Sequence, residues 1–251
     1  MKTGKSRLDL LLVEKGLVAS RPRAQSLILA GKVLVDDTPV DKSGTLVALD
    51  AVIRIKGEDH PYVSRGGIKL AAALDAFSIK TSGRVALDIG ASTGGFTHVL
   101  LLRDIAKVFA IDVGHNQLHW QIRQDPKVKV YEKINVRYID FAQIGEKVDL
   151  VVVDVSFISL DKMFGPLLQF SKPDTDWVTL IKPQFEVGKE KVGKGGIVNS
   201  EQDQLEVLER LQTFAERLGL KRLGLIESPI TGTEGNKEFL AHWKQDIVKT
   251  L

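Results

Sequence analysis

The sequence contains no cysteine. That removes any disulfide framework and any thiolate metal site, and the five histidines never pair as HxxxH or HxH, so a structural metal is not expected. No apolar run approaches the roughly 20 residues that cross a bilayer. The opening stretch, MKTGKSRLDLLLVEKG, breaks its short apolar segment with charge before a signal-peptide core can form. These absences predict a cytoplasmic chain without metal. What remains is 251 residues, 43% hydrophobic and 27% charged, a balance that supports one large core and one small one.

Charge is unevenly spread. Residues 1 to 57 carry ten Lys/Arg against six acids, whereas the rest of the chain is close to neutral. A basic first quarter suits a polyanionic partner, although a lysine-rich solubilising surface has the same composition. Within it, Ser6 is placed to cap a helix through LDLLLVEK, with Asp9 three residues on and Gly16 at its end. Ser20 caps a second helix, Pro22 falls in its first turn, and Gly31 closes it. VLVDDTPV and AVIRIK read as short strands around a turn. Arg7, Arg21, Arg23 and Lys32 then lie near helix starts, where charge and free N–H groups can hold phosphates.

GEDHPYVSRGG, with its glycines, charges and proline, marks a boundary: 1–57 as the first domain, 58–68 as linker and 69–251 as the second domain. After a helix through KLAAALDAF, apolar runs recur at RVALDIG, KVFAIDV, VDLVVVDVS, WVTLIK and LGLIESP. Helical segments lie between most of them, notably QDQLEVLERLQTFAERLG, with Leu205, Leu208, Leu211 and Phe214 assigned to one face. Such strands predict a doubly wound, mainly parallel α/β sheet, with ligands beyond the strands' carboxyl ends.

The run DIGASTGG, from Asp88, places a carboxylate and then a turn containing Gly90, Ser92, Gly94 and Gly95 between a strand and a helix. A glycine turn lets backbone approach a nucleotide-like ligand, and Asp112, with Val113 after it, ends the next strand where ribose hydroxyls would be held. NAD fits less well: the spacing departs from G-x-G-x-x-G, and Asp88 would face a pyrophosphate. S-adenosylmethionine brings a sulfonium and an amine instead, which an acid favours. A tight turn with a capping acid is the plainer alternative. Phe96 packs either against the cofactor or, as the favoured reading, merely against the first helix, and Asn135, in KINVRYID, is expected to approach an adenine or simply to turn the chain.

Four charged residues end or flank apolar runs: Lys69 after SRGG, Asp154 in VVVD, Lys182 in LIKP and Glu238 in GNKEFL. If the acceptor were a ribose hydroxyl, its proton would have to be taken by a positioned base, and a lysine steered by a carboxylate can serve. EVGKEKVGKGG, residues 186–196, is either a loop that brings Lys189, Lys191 and Lys194 to RNA phosphates or a plain solvated loop. His98, His115 and His119 are assigned no chemistry.

Residues 5–56 resemble the small RNA-binding domain shared by a small-subunit ribosomal protein, pseudouridine synthases and bacterial tyrosyl-tRNA synthetases, through the spacing of L-D-x-x-L, S-R-x-x-A and G-K-V. YVSRGGIKL, ALDIGASTGGFTHVLL, AIDVGHNQL, VVVDVSFISL, LIKPQFE and GNKEF resemble the TlyA, or haemolysin A, family of ribosomal RNA methyltransferases. The resemblance implies an S-adenosylmethionine-dependent, FtsJ-like 2′-O-methyltransferase acting on cytidine riboses of ribosomal RNA or ribosomal subunits. It implies a Lys69–Asp154–Lys182–Glu238 tetrad with Lys182 as base, Asp154 as its partner, and Lys69 and Glu238 orienting substrate and amine. Arg65, beside Lys69, joins the residues expected to meet RNA. An RNA-binding assembly factor with a vestigial methyltransferase domain and a membrane-active haemolysin are the competing readings.

Overall fold

The computed structural model describes residues 4–18, 20–56, 60–232 and 235–245, with the side chain of Lys189 outside the described atoms. The chain divides into two compact units, Met1–Pro61 and Tyr62–Leu251, so the division falls within the span read as linker.

In the first unit, β1 (Lys5–Arg7) leads into α1 (Leu8–Glu14), followed by α2 (Arg21–Leu29), β2 (Val33–Val35), β3 (Thr38–Val40), β4 (Leu46–Ala48) and β5 (Ile53–Ile55). β1 pairs with β4, and β2 lies between β3 and β5. Leu8, Leu12, Ile28 and Val33 are fully buried and form its core. Ser20 caps α2 as its sequence predicts, accepting from the backbone N–H of Arg23 at 3.4 Å. Ser6 does not cap α1: it is spent in β1, opposite Val47, and no side chain caps the helix start. Asp9 has a different use. It is fully buried and accepts from Arg7 (Nε and Nη2, both 3.0 Å), Arg21 (Nε, 2.9 Å) and Gln25 (3.0 Å). The Arg7 bonds, more than the others, hold its carboxyl well below the usual carboxylate range.

The second unit begins with α3 (Gly66–Ala76), which opens within the predicted linker rather than after it. It continues through β6 (Val85–Ile89), α4 (Gly95–Leu102), β7 (Lys107–Ile111), α5 (Trp120–Arg123), β8 (Val128–Tyr131), α6 (Phe141–Ile144), β9 (Val148–Val153), α7 (Asp161–Leu168), β10 (Ser171–Ile181), α8 (Glu201–Arg217), β11 (Leu220–Glu227) and β12 (Phe239–Gln245). Seven strands form one sheet in the order β11-β12-β10-β9-β6-β7-β8. All neighbours from β10 to β8 are parallel; β12 alone runs against both β10 and β11.

Strand alternation divides the core. Leu87 and Ile89 of β6, with Val151 and Val153 of β9, face α7 and α8, whereas Ala86, Leu150 and Val152 face α3 and α4. Asp88 therefore shares the α4 side with Ala86. On α8 the buried stripe is Gln204, Val207, Leu208, Leu211 and Ala215, and Leu205 is 53% exposed. Steps of three residues fall short of the helical period, so a 205-208-211-214 series drifts off the buried face at its first member.

The order reverses at β6, from which the chain steps to β7 on one side and later to β9 on the other. Loops leaving the carboxyl ends of β6 and β9 diverge from this point and open a crevice. β12, entering in the opposite direction, brings its amino end to the same edge, next to the end of β10, where Phe239 is paired with Ile181.

Candidate active site

Two cavities meet at that edge, sharing Gly90, Ser92 and Asp154. Gly90 follows β6 with φ +80°, and a Cβ there would overlap the carbonyl oxygen of Asp154; only glycine lets the β6 turn pass this close to the end of β9. Gly94 precedes α4 with φ +94°, and a Cβ would lie 2.9 Å from Leu118. Asp112 holds the turn: its Oδ2 accepts from the N–H of Ser92 at 2.8 Å and its Oδ1 from that of Gly114 at 2.6 Å.

The larger cavity, about 430 Å³, has apolar walls from Ile89, Ile111, Val136 and Ile158, with Asp112, Val113 and Asn135 at its rim. The Asn135 side chain accepts from Arg137 (backbone N–H 3.2 Å, Nε 3.3 Å) and so shapes a turn as well as lining the cavity. Ser156, Phe157 and Arg137 also line it. Sequence reasoning missed these three. VVVDVSFISL was read only for Asp154, and Phe157, 89% exposed with φ +62°, has no period-based signal.

The smaller cavity, about 290 Å³, is lined by Lys69, Asp154, Lys182 and Glu238 together, with Arg65, Gly95 and Phe96. Four positions spread over 170 residues of chain are brought to one pocket. Lys69 and Glu238 form a buried ion pair, with side chains 11% and 3% exposed. Lys182 Nζ lies 2.6 Å from Asp154 Oδ1 and donates to Ser156 Oγ at 3.0 Å. Arg65, which has no partner among the described residues, adds a further cationic side chain to the pocket wall. Ser64, Ile230 and Thr231 complete the wall and were not foreseen; only the turn-like composition of PITG hinted at a loop there.

Two predicted cofactor residues lie elsewhere. Gly94 serves the turn without lining either cavity. Asp88 is fully buried under α4, where Thr97 Oγ1 donates to its Oδ2 at 2.6 Å and its Oδ1 has no partner. It does not face a ligand through open space, as the sequence suggested. Burial pushes its carboxyl up to about 7, against the pull of the Thr97 hydroxyl. His98, left without chemistry, proves to anchor the strap that carries Ser64 and Arg65: its Nδ1 accepts from the N–H of Val63 at 3.1 Å. Burial, with His119 nearby, pushes its imidazole below the usual range.

The residues expected to meet RNA are differently placed. Arg7 and Arg21 share the buried Asp9 while about half of each side chain stays exposed, and Arg23 donates to the carbonyl of His60 at 3.3 Å. Lys32 lies partly exposed after α2, and Lys194 is exposed in the loop before α8. Lys191 is exposed and ion-paired at the surface, 2.6 Å from Asp203 and 2.8 Å from Glu206.

Residues 62–245 match the family of FtsJ-like methyltransferases, and residues 6–53 match the S4 domain. The chain is 45% identical over 236 residues to the 16S/23S rRNA (cytidine-2′-O)-methyltransferase TlyA of Mycobacterium tuberculosis, covering 94% of this chain and 88% of that protein. It is 39% identical over 242 residues to Hemolysin A of Brachyspira hyodysenteriae, covering 94% and 99%. Among solved structures, a candidate hemolysin from Streptococcus thermophilus superposes with a TM-score of 0.77 at 39% identity, over 98% of this chain and 90% of that one.

Proposed function

We propose that the chain, which belongs to the FtsJ-like methyltransferase family, transfers a methyl group from S-adenosylmethionine to the 2′-hydroxyl of a cytidine in ribosomal RNA. S-adenosylmethionine is the cofactor of this enzyme class, and the residues present fit it: a cavity of about 430 Å³ with apolar walls for an adenine, Asp112 lining it for ribose hydroxyls, and a glycine turn that leaves room for close approach of the backbone. When bound, the cofactor supplies an electrophilic methyl carbon whose bond to sulfur breaks as the bond to the ribose oxygen forms. The chain's own residues do the rest.

Lys182 takes the proton of the attacking hydroxyl. Its amine donates to Ser156 Oγ at 3.0 Å and lies 2.6 Å from Asp154 Oδ1, and once neutral it has a lone pair for the substrate proton. Asp154 then sits beside the ammonium that results. Lys69 and Glu238 line the same pocket, where a buried, paired amine and carboxylate present fixed donors and acceptors to the ribose at little reorganisation cost. Arg65 engages a phosphate of the RNA backbone at the mouth. The S4 domain, with Arg7, Arg21, Arg23 and Lys32, supplies affinity for structured RNA largely independent of sequence.

The observation that carries this reading is the convergence of Lys69, Asp154, Lys182 and Glu238 on one pocket beside the glycine turn. Lys182→Ala should lower methyl transfer from labelled cofactor to ribosomal RNA by at least about 100-fold, the usual contribution of a general base. Cofactor binding by calorimetry and the melting temperature should stay near those of the parent. A folded variant that transfers methyl at close to the parental rate refutes the role of Lys182. Mapping 2′-O-methyl positions on ribosomal RNA with and without the gene tests the substrate.

A further inference from the structure

Lys182 and Asp154 stand at the roots of two loops, one leaving β10 and the other β9, and a lysine side chain at the root of a free loop would not keep its amine in one place. The two loops are joined at three successive levels. Lys182 meets Asp154 and Ser156; the rings of Phe185 and Phe157 lie 4.8 Å apart; and Glu186 reaches across to Ser159 and Leu160. The last level is the costliest. The Glu186 side chain is 2% exposed, and burial pushes its carboxyl above the ordinary range. A buried carboxylate is retained only where its bonds are nearly complete. Here they are: Oε2 accepts from Ser159 Oγ at 2.6 Å and from Arg210 of α8 at 2.8 Å, and Oε1 accepts from the N–H of Leu160, just ahead of α7, at 2.8 Å. Arg210 donates as well to the Glu186 carbonyl at 3.1 Å and to Asp161 at 3.2 Å. One side chain thus ties the Lys182 turn to α7, α8 and the loop that carries Asp154 and Ser156.

We propose that Glu186 is a positioning residue for the methyl-transfer step, fixing the turn from Lys182 to Glu186 so that the Lys182 amine stays between Asp154 and Ser156. It touches neither substrate nor cofactor and acts only through Lys182; the proposal rests on the reading of Lys182 as proton acceptor. Gln at this position keeps size and shape but turns one acceptor oxygen into a donor that faces Arg210, Ser159 or the Leu160 N–H, and so loosens the clasp.

The test compares full-length Glu186→Gln with Lys182→Ala and the parent. Methyl transfer is measured with ribosomal RNA and S-adenosylmethionine, and the Cε resonance of Lys182 is followed by NMR in lysine-labelled protein, assigned by its absence from Lys182→Ala. Glu186→Gln is expected to lower kcat about tenfold while KM for both substrates changes less than about twofold, and to shift or broaden the Lys182 resonance. If Lys182→Ala keeps its activity while Glu186→Gln still moves that resonance, the base assignment fails and the positioning stands. A kcat within about twofold of the parent with the resonance unmoved overturns the proposal. So does a loss of rate that only tracks a smaller folded fraction, again with the resonance in place.

Discussion

At the scale of single residues, the sequence places a carboxylate at position 88 and the fold then removes it from water. The unfolded chain ionises Asp88 near the ordinary aspartate value of 3.8, and the folded chain near 7. Between these values unfolding releases a proton, so this group's contribution to stability falls as the pH rises and its cost is complete above about 7. Asp88→Asn keeps an acceptor for Thr97 and removes the titration. Denaturant midpoints at pH 5 and pH 8 should show the parent losing about 2 to 3 kcal/mol relative to the variant across that interval. Lys69→Met acts the other way. It leaves Glu238 buried without its cation and should cost about 3 to 5 kcal/mol, measured by urea unfolding, besides reducing methyl transfer.

Legibility differed from residue to residue for physical reasons. Lys69, Asp154, Lys182 and Glu238 each abut an apolar run, where α/β sheets build sites, but it was the family resemblance more than this spacing that grouped them. That Asp88 is buried could not be read, because strand alternation alone does not say which face a helix will cover. Ser156 and Glu186 were passed over as ordinary polar residues; their partners lie 26 to 27 residues away in sequence and meet only when β9 and β10 pair.

At the scale of elements, the strand–turn–helix from β6 to α4 was legible from its glycines, and Gly90 is where substitution should hurt most. Gly90→Ala forces a side chain into a left-handed conformation and against the Asp154 carbonyl. The expected cost is about 3 kcal/mol of stability in thermal melts, with cofactor affinity lowered at least about tenfold by calorimetry. In the first unit, Ser20 announced α2 correctly, whereas the start of α1 was misread because Ser6 looks like a cap and pairs in a strand instead. Asp9→Asn should destabilise that unit, since two guanidinium groups then share one neutral acceptor. β12 escaped notice because the polar residues of FLAHWKQ fit no simple pattern: His242 is buried against Asp176 and Trp243 lies in the core.

At the scale of the whole molecule, charge is the property that composition conveys best. Phosphate contacts release counterions, so RNA affinity should fall steeply with salt, and Lys32→Ala and Lys194→Ala should each lower the slope of log K against log[salt] by about 1. Filter binding to ribosomal RNA from about 50 to 300 mM salt measures this. A slope unchanged in both variants removes those lysines from the interface. Among the described residues no helix is long and apolar enough to cross a membrane.

The late place of β12 in the chain sets the order in which the pocket's side chains are made. Lys69, Asp154 and Lys182 emerge in order along with the parallel strands, but Glu238 arrives only with the strand that must slot between β10 and β11, two elements already made. Until that insertion the buried ammonium of Lys69 has no counter-charge. Glu238 is therefore the last of the four to be synthesised, and its pair with Lys69 closes only once β12 lies between β10 and β11.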